Sequence, residues 1–123
     1  MGKPFKLLII DDNEEFIAAL SAFFSNKEFD VVYASDGLDG LKLFEAEKDE
    51  FDLVITDIVM PNISGVGVIS IIRKHKPDIP VIAITGWGEH PEVLALEAQA
   101  NLVLEKPFNL NDLYNSIKDI LSP

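Results

Sequence analysis

The chain reads as an α/β protein, a doubly wound open parallel sheet of five strands with five helices. Two observations predict this class. Short continuous apolar runs (LLII, DLVIT, VIAI, LVLE) alternate with stretches whose apolar residues recur at helical spacing. The LLII run also lacks polar alternation, which suits a strand buried on both faces of a sheet. A third observation concerns chemistry. Asp11, Asp12, Asp57, Thr85 and Lys106 each stand at or just past the end of such a run. In a parallel sheet all strands end on one side, so these residues are expected to meet around one small volume.

Taken in order, residues 5–10 form the first strand. Phe16, Ile17, Leu20, Phe23 and Phe24 then mark a helical stripe. Residues 31–34 are a short second strand, and Leu38, Leu41 and Phe44 mark the second helix, with Asp36 as its cap before Gly37. Residues 53–56 form the third strand, followed by MPNISG, a loop with Pro61, Asn62 and Gly65 as breakers. Val68, Ile69, Ile71 and Ile72 place a third helix before Pro77. Residues 81–84 are the fourth strand, and Gly86, Gly88 and Pro91 punctuate the loop after it. Pro91 suits the first turn of a fourth helix carrying Val93, Leu94 and Leu96. Residues 102–105 are the fifth strand. Leu110, Leu113, Tyr114, Ile117 and Leu121 give the clearest stripe, the fifth helix, with Asn109 as cap and Asp112 near the positive end of the helix dipole. Five βα units in succession predict helices on both faces of the sheet, with a site beyond the carboxyl ends of the strands where their order reverses. Residues 1–123 read as one domain without repeat, linker or low-complexity segment.

Composition narrows the function classes. Of 123 residues, 48% are hydrophobic, enough for a real core. No apolar run approaches the roughly 18 residues of a membrane span, and MGKPFKLLII lacks the long apolar stretch and cleavage site of a signal peptide. The absence of cysteine excludes disulfides and thiolate metal sites. These features fit an intracellular, cytoplasmic protein. The formal net charge of -11, from 21 acidic and 10 basic residues, repels nucleic acid phosphates. Direct nucleic acid binding is therefore not expected, although a separate DNA-binding partner could be regulated.

Each polar group at a strand end has a functional and an ordinary reading. Asp11 and Asp12 repel one another unless a cation or water stands nearby, and magnesium takes such oxygen ligands. Equally, Asp12 could be an N-cap, with Glu15 three residues later. Asp57 could be a metal ligand, a base, or a nucleophile that attacks phosphorus and becomes an acyl phosphate; it could also make an Asx turn. Thr85 could hydrogen-bond a phosphoryl oxygen, with Gly86 allowing close backbone approach, or simply finish a strand. Lys106 could neutralise a phosphate or pair with a carboxylate, or be a surface lysine before a helix-initiating proline. A cis bond before Pro107 would turn the chain and hold the lysine inward. His75, in RKHK, suits a helix C-terminus; His90 lacks an acidic or glycine-rich setting, and Trp87 reads as a partly exposed loop aromatic that would sit close to the site mouth. The ordinary readings would have to place all five groups at successive strand ends by accident.

With these residues the chain resembles the receiver domain of two-component response regulators, over essentially its whole length. LLIIDDNEEF looks like the family's first strand and acidic pair, and ASDGLDGLKLF like its second βα unit. DLVITDIVMPNISG looks like the phosphoacceptor strand and loop, and VIAITG and LEKPF like the threonine and lysine-proline segments. The resemblance implies a flavodoxin-like sheet of order 2-1-3-4-5. It implies Asp57 as phosphoacceptor, with Asp11, Asp12, Asp57 and the Val59 carbonyl binding Mg2+ (or Mn2+). Lys106 would contact the phosphoryl group and Thr85 would move to bond it. The implied donor is a sensor histidine kinase or phosphotransfer protein, and the receiver of the signal a downstream protein or output domain. A homodimer through the fourth helix, fifth strand and fifth helix is compatible with this. Receivers usually carry Tyr or Phe three residues before the lysine, where this chain has Val103; a β-branched side chain does not swing as a ring does, which implies a muted or rerouted change on that face. In receivers the positions of Val59 and Trp87 border the path of the hydrolytic water, so the resemblance implies that these bulky apolar groups prolong the life of the phosphoryl group. Such a domain catalyses its own phosphorylation and slow dephosphorylation without a diffusible substrate. Two other readings are an aspartyl-nucleophile phosphotransferase or phosphatase, for which little chain is left to build an acid/base group and pocket, and a pseudo-receiver that never gains phosphate.

Overall fold

Along β1 (Lys6–Ile10) alternate side chains enter two different cores, which is what a strand with no polar alternation requires. The computed structural model describes residues 3–47, 49–86 and 99–122. After β1 come α1 (Glu14–Phe24), β2 (Asp30–Ala34), α2 (Gly37–Glu47), β3 (Leu53–Asp57), α3 (Gly65–His75), β4 (Val81–Thr85), β5 (Leu102–Glu105) and a last helix, here α4 (Leu110–Leu121). That last helix is the one the sequence places fifth. The helix expected around Val93, Leu94 and Leu96, together with Trp87, Gly88, His90 and Pro91, lies outside the described residues.

All four strand pairings are parallel, and the sheet order is β2-β1-β3-β4-β5. The register sets Leu7 beside Val31 and Leu53, Val54 beside Val81, and Ala83 beside Val103. On one face Leu8, Ile10, Val54, Val81 and Ala83 pack with Leu41 and Phe44 of α2 and Val68, Ile69 and Ile72 of α3. On the other, Leu7, Ile9, Leu53, Ile55, Ile82 and Ile84 pack with Leu20 and Phe24 of α1 and Leu113 and Ile117 of α4. The central strands β3 and β4 are buried along their full length. Both extend one residue past the apolar run seen in the sequence, so that Asp57 and Thr85 are their final residues.

Helix starts follow the capping chemistry with one correction. Asn109 caps α4 by accepting from the Asn111 N–H, and Asp36 accepts from the Asp39 N–H at the start of α2. Asp12, however, is not the cap of α1. That role falls to Asn13, whose side chain accepts from the Phe16 N–H at 3.0 Å. The reason is the turn before it: Asp11 Oδ1 accepts from the Asn13 N–H at 2.8 Å, an Asx-type bond that carries the chain one residue further before the helix begins. In the loop after β3, Asn62 takes a left-handed conformation (φ 71°), which asparagine tolerates better than most residues. None of the described helices is long and apolar enough to cross a membrane.

Candidate functional site

The two strands that flank the order reversal deliver the acidic residues. Past the end of β1, the Asp11 N–H still donates to Ala34 O of β2 at 3.1 Å, which fixes Asp11 on the rim. Past the end of β3, the Ile58 N–H donates to Ile84 O at 2.9 Å, which fixes Asp57 in the same way. Asp11 is 1% exposed and Asp57 7%, whereas Asp12 points to solvent. One carboxylate oxygen from each of Asp11, Asp12 and Asp57 lies within 4.8 Å of the other two.

Lys106, just past the end of β5, reaches this group along the same rim. Its Nζ lies 3.0 Å from Asp11 Oδ2. The Lys106 N–H donates to Thr85 O at 2.7 Å, so β5 leaves the sheet beside the end of β4. The Lys106–Pro107 bond is cis, the alternative raised by the sequence. Thr85 is buried at the end of β4, beyond the pairing of Asp57 with Ile84. Val59 contributes its N–H, 3.3 Å from Asp57 Oδ1, while the residue is 48% exposed. Val103 is half-buried and packs into the core on the α2 and α3 side.

The electrostatics of the rim are unbalanced. The Asp57 carboxyl is pushed up to about 6, first by burial and then by the Asp11 charge, with Asp12 adding a little; Lys106 and the Val59 N–H pull the other way. Among the described residues, three carboxylates against one ammonium is a surplus of hard oxygen donors. Magnesium suits such a donor set, since it binds through one or two carboxylates and keeps remaining positions for water or phosphate oxygens.

Several residues that shape the site carried no chemical signal in the sequence. Gly65 reads there only as a breaker. In the fold its N–H donates to Ile58 O at 2.8 Å, and a Cβ on it would stand 2.0 Å from the Asp57 carbonyl oxygen. Only glycine lets α3 start this close to the end of β3. Thr56, fully buried, donates its hydroxyl to the Asp57 carbonyl at 3.0 Å. Phe16 belongs to the stripe of α1, yet its ring centroid lies 4.1 Å from Lys106 Nζ. A glycine eight residues after the acidic strand end and a hydroxyl just before it were the only visible hints. His75 lies on the surface, 3.4 Å from Glu45 of α2, apart from the acidic rim.

This fold and rim define a response regulator receiver domain, and the chain belongs to that family, whose model matches residues 7–118. It is 38% identical over 117 residues to the transcriptional regulatory protein CpxR homolog of Haemophilus influenzae, which covers 94% of this chain and 50% of that protein. A response regulator receiver domain protein of Clostridium thermocellum superposes with a TM-score of 0.87 at 32% identity, covering 94% of this chain and 92% of the other. CheX-CheY-BeF3-Mg+2 complex coordinates from Borrelia burgdorferi superpose with a TM-score of 0.88 at 25% identity, covering 99% and 92%. The chain spans about half or less of the length of the curated relatives it matches.

Proposed function

We propose that this receiver domain, residues 1–123, takes a phosphoryl group onto Asp57 and passes the change to a protein partner. The supporting observation is the meeting of the Asp11, Asp12 and Asp57 carboxylates within 4.8 Å, with Lys106 bound to Asp11. A carboxylate oxygen of Asp57 attacks phosphorus of a phosphohistidine on a sensor histidine kinase or phosphotransfer protein. The new P–O bond forms as the P–N bond breaks, and the electron pair leaves on the imidazole nitrogen. A small acyl phosphate reacts alike, with its carboxylate as leaving group. Asp11, Asp12, Asp57 and the Val59 carbonyl would hold Mg2+ (or Mn2+), which when bound neutralises the charge that repels an incoming phosphate. The likeness to a complex named for BeF3 and Mg supports that assignment.

The residues themselves do the rest. Asp57 attacks only as a carboxylate, so Lys106 and a bound cation both favour its reactive form. Lys106 then neutralises an equatorial phosphoryl oxygen, and the Thr85 hydroxyl donates to another. The phosphoryl group carries roughly -1.5 to -2 charges at neutral pH and replaces the single carboxylate charge of Asp57. Drawing Thr85 and Lys106 toward that charge biases β4 and β5 between two packings, a population shift. Val59, exposed at the site, and Trp87 hinder the hydrolytic water and prolong the phosphorylated state. The names of the relatives point to transcriptional output. With a net charge of -11, this domain acts on an output domain or separate protein in the cytoplasm and does not itself bind DNA. Two copies would pair through the helix expected around residues 93–96, β5 and the last helix.

Intact mass after incubation with Mg2+ and acetyl phosphate tests the reading. One added phosphoryl group is expected in the wild type and none in Asp57→Asn; an unmodified wild type, or equal gain in both, would refute it.

A further inference from the structure

We propose that Phe16 is a positioning residue for the site lysine: its ring face holds the Lys106 ammonium at the acidic rim. The inference rests on the phosphoryl-transfer reading of Asp57. Lys106 Nζ stands 4.1 Å from the Phe16 ring centroid and 3.0 Å from Asp11 Oδ2, so the ammonium touches a ring and a carboxylate together. The remaining ammonium–ring approaches among the described residues are longer, from 4.7 to 5.5 Å, and none of them involves Lys106. The ring is itself held in place. Phe16 is in the first turn of α1, where its N–H is bonded by the Asn13 cap. Phe108, just after Pro107, meets it edge to face at 5.9 Å and 85°.

A lysine on a four-carbon stem beside three carboxylates has several partners within reach. The negative face of an aromatic ring attracts an ammonium, more strongly as water is excluded. Lys106 is only 24% exposed along its side chain, so the ring limits its choice and keeps the charge where phosphoryl oxygens will arrive. Less reorganisation is then needed when negative charge grows on those oxygens.

The test compares Phe16→Leu with Phe16→Tyr. Two readouts are followed: the Lys106 ε-methylene proton shift, and the rate of phosphorylation by acetyl phosphate at saturating Mg2+. The wild type should show an upfield ring-current shift that Phe16→Tyr keeps and Phe16→Leu loses. The leucine variant should react about three- to tenfold more slowly, the rate equivalent of one partly desolvated cation–π contact, with the tyrosine variant close to wild type. If Phe16→Leu does not fold, Phe16→Met replaces it with the same expectation. A leucine variant at the wild-type rate, a tyrosine variant as slow as leucine, or an unshifted ε-methylene in the wild type overturns the role of the ring while leaving Asp57 as acceptor. A wild type that gains no phosphoryl group overturns both.

Discussion

The two ends of the sheet use charge in opposite ways. At the amino end, cations find acceptors. Lys6 Nζ lies 2.9 Å from Glu47 and 3.3 Å from Glu50. Arg73 donates to the carbonyls of Pro77 (3.0 Å), Gln99 (2.6 Å) and Ile79, and to Asn101 Oδ1 (2.8 Å), which also accepts from the Val81 N–H. Lys76 Nζ donates to Phe51 O. This end ties α3 to the starts of β4 and β5. At the carboxyl end, three carboxylates face one ammonium, and the Asp57 carboxyl is pushed up to about 6. At the first end these cations are held by acceptors of the protein itself, which ties the elements into a frame. The second is short of positive charge, and that shortage is what an incoming cation and phosphoryl group would correct.

The contrast breaks most visibly at the lysines. Lys106→Ala should slow phosphorylation by acetyl phosphate roughly a hundredfold, as loss of a transition-state donor does. Lys6→Ala should leave that rate unchanged; similar losses in both would erase the distinction between the ends. Next comes stability. Arg73→Ala should cost about 2–3 kcal/mol in urea unfolding, because charge-assisted bonds to several carbonyls are lost together. Asp57→Asn should instead raise the melting temperature of the metal-free protein at pH 7, since it removes a buried charge from a repulsive group.

Acidity sharpens the same point. Because the Asp57 carboxyl rises from its ordinary 3.8 to about 6 on folding, the folded state binds more protons than the unfolded chain between those values. Metal-free stability should therefore fall as pH rises from about 4 to 6. Thermal melts across that window should lose this slope in Asp57→Asn and show a shallower one with Mg2+. The smallest effect concerns lifetime: Val59→Ala and Trp87→Ala should each speed loss of the phosphoryl group about two- to fivefold, the scale of one apolar contact opened to water. Decay followed by intact mass would show this, and unchanged rates would remove the shielding role.

The frame was more legible in the sequence than the site's supports. Continuous apolar runs bounded by Gly, Pro and Asp announced five parallel strands, of which β1, β3 and β4 are the buried ones, and the polar residues at their ends announced the rim. Boundaries moved by one residue where the ladder continues through a polar group, as at Asp57 and Thr85. What could not be read depends on contacts between distant segments. Asn13 displaced Asp12 as cap because Asp11 bonds the Asn13 N–H, a choice that two adjacent aspartates do not reveal. The RKHK segment suggests a helix C-terminus, and Arg73 does lie in the last turn of α3; its bonds to Gln99 and Asn101 arise only from the fold. Gly65 and Phe16 likewise gain their roles from what packs against them, the Asp57 carbonyl and the Lys106 ammonium.

The central claim is that the surplus of carboxylates at one rim makes Asp57 the acceptor. Borohydride reduction of the acetyl phosphate-treated protein converts an aspartyl phosphate to homoserine, whose position peptide mass spectrometry reads directly. Homoserine at position 57, formed only when Mg2+ is present, is the predicted result. Homoserine at Asp11 or Asp12, or none at all in protein that binds Mg2+, would contradict it.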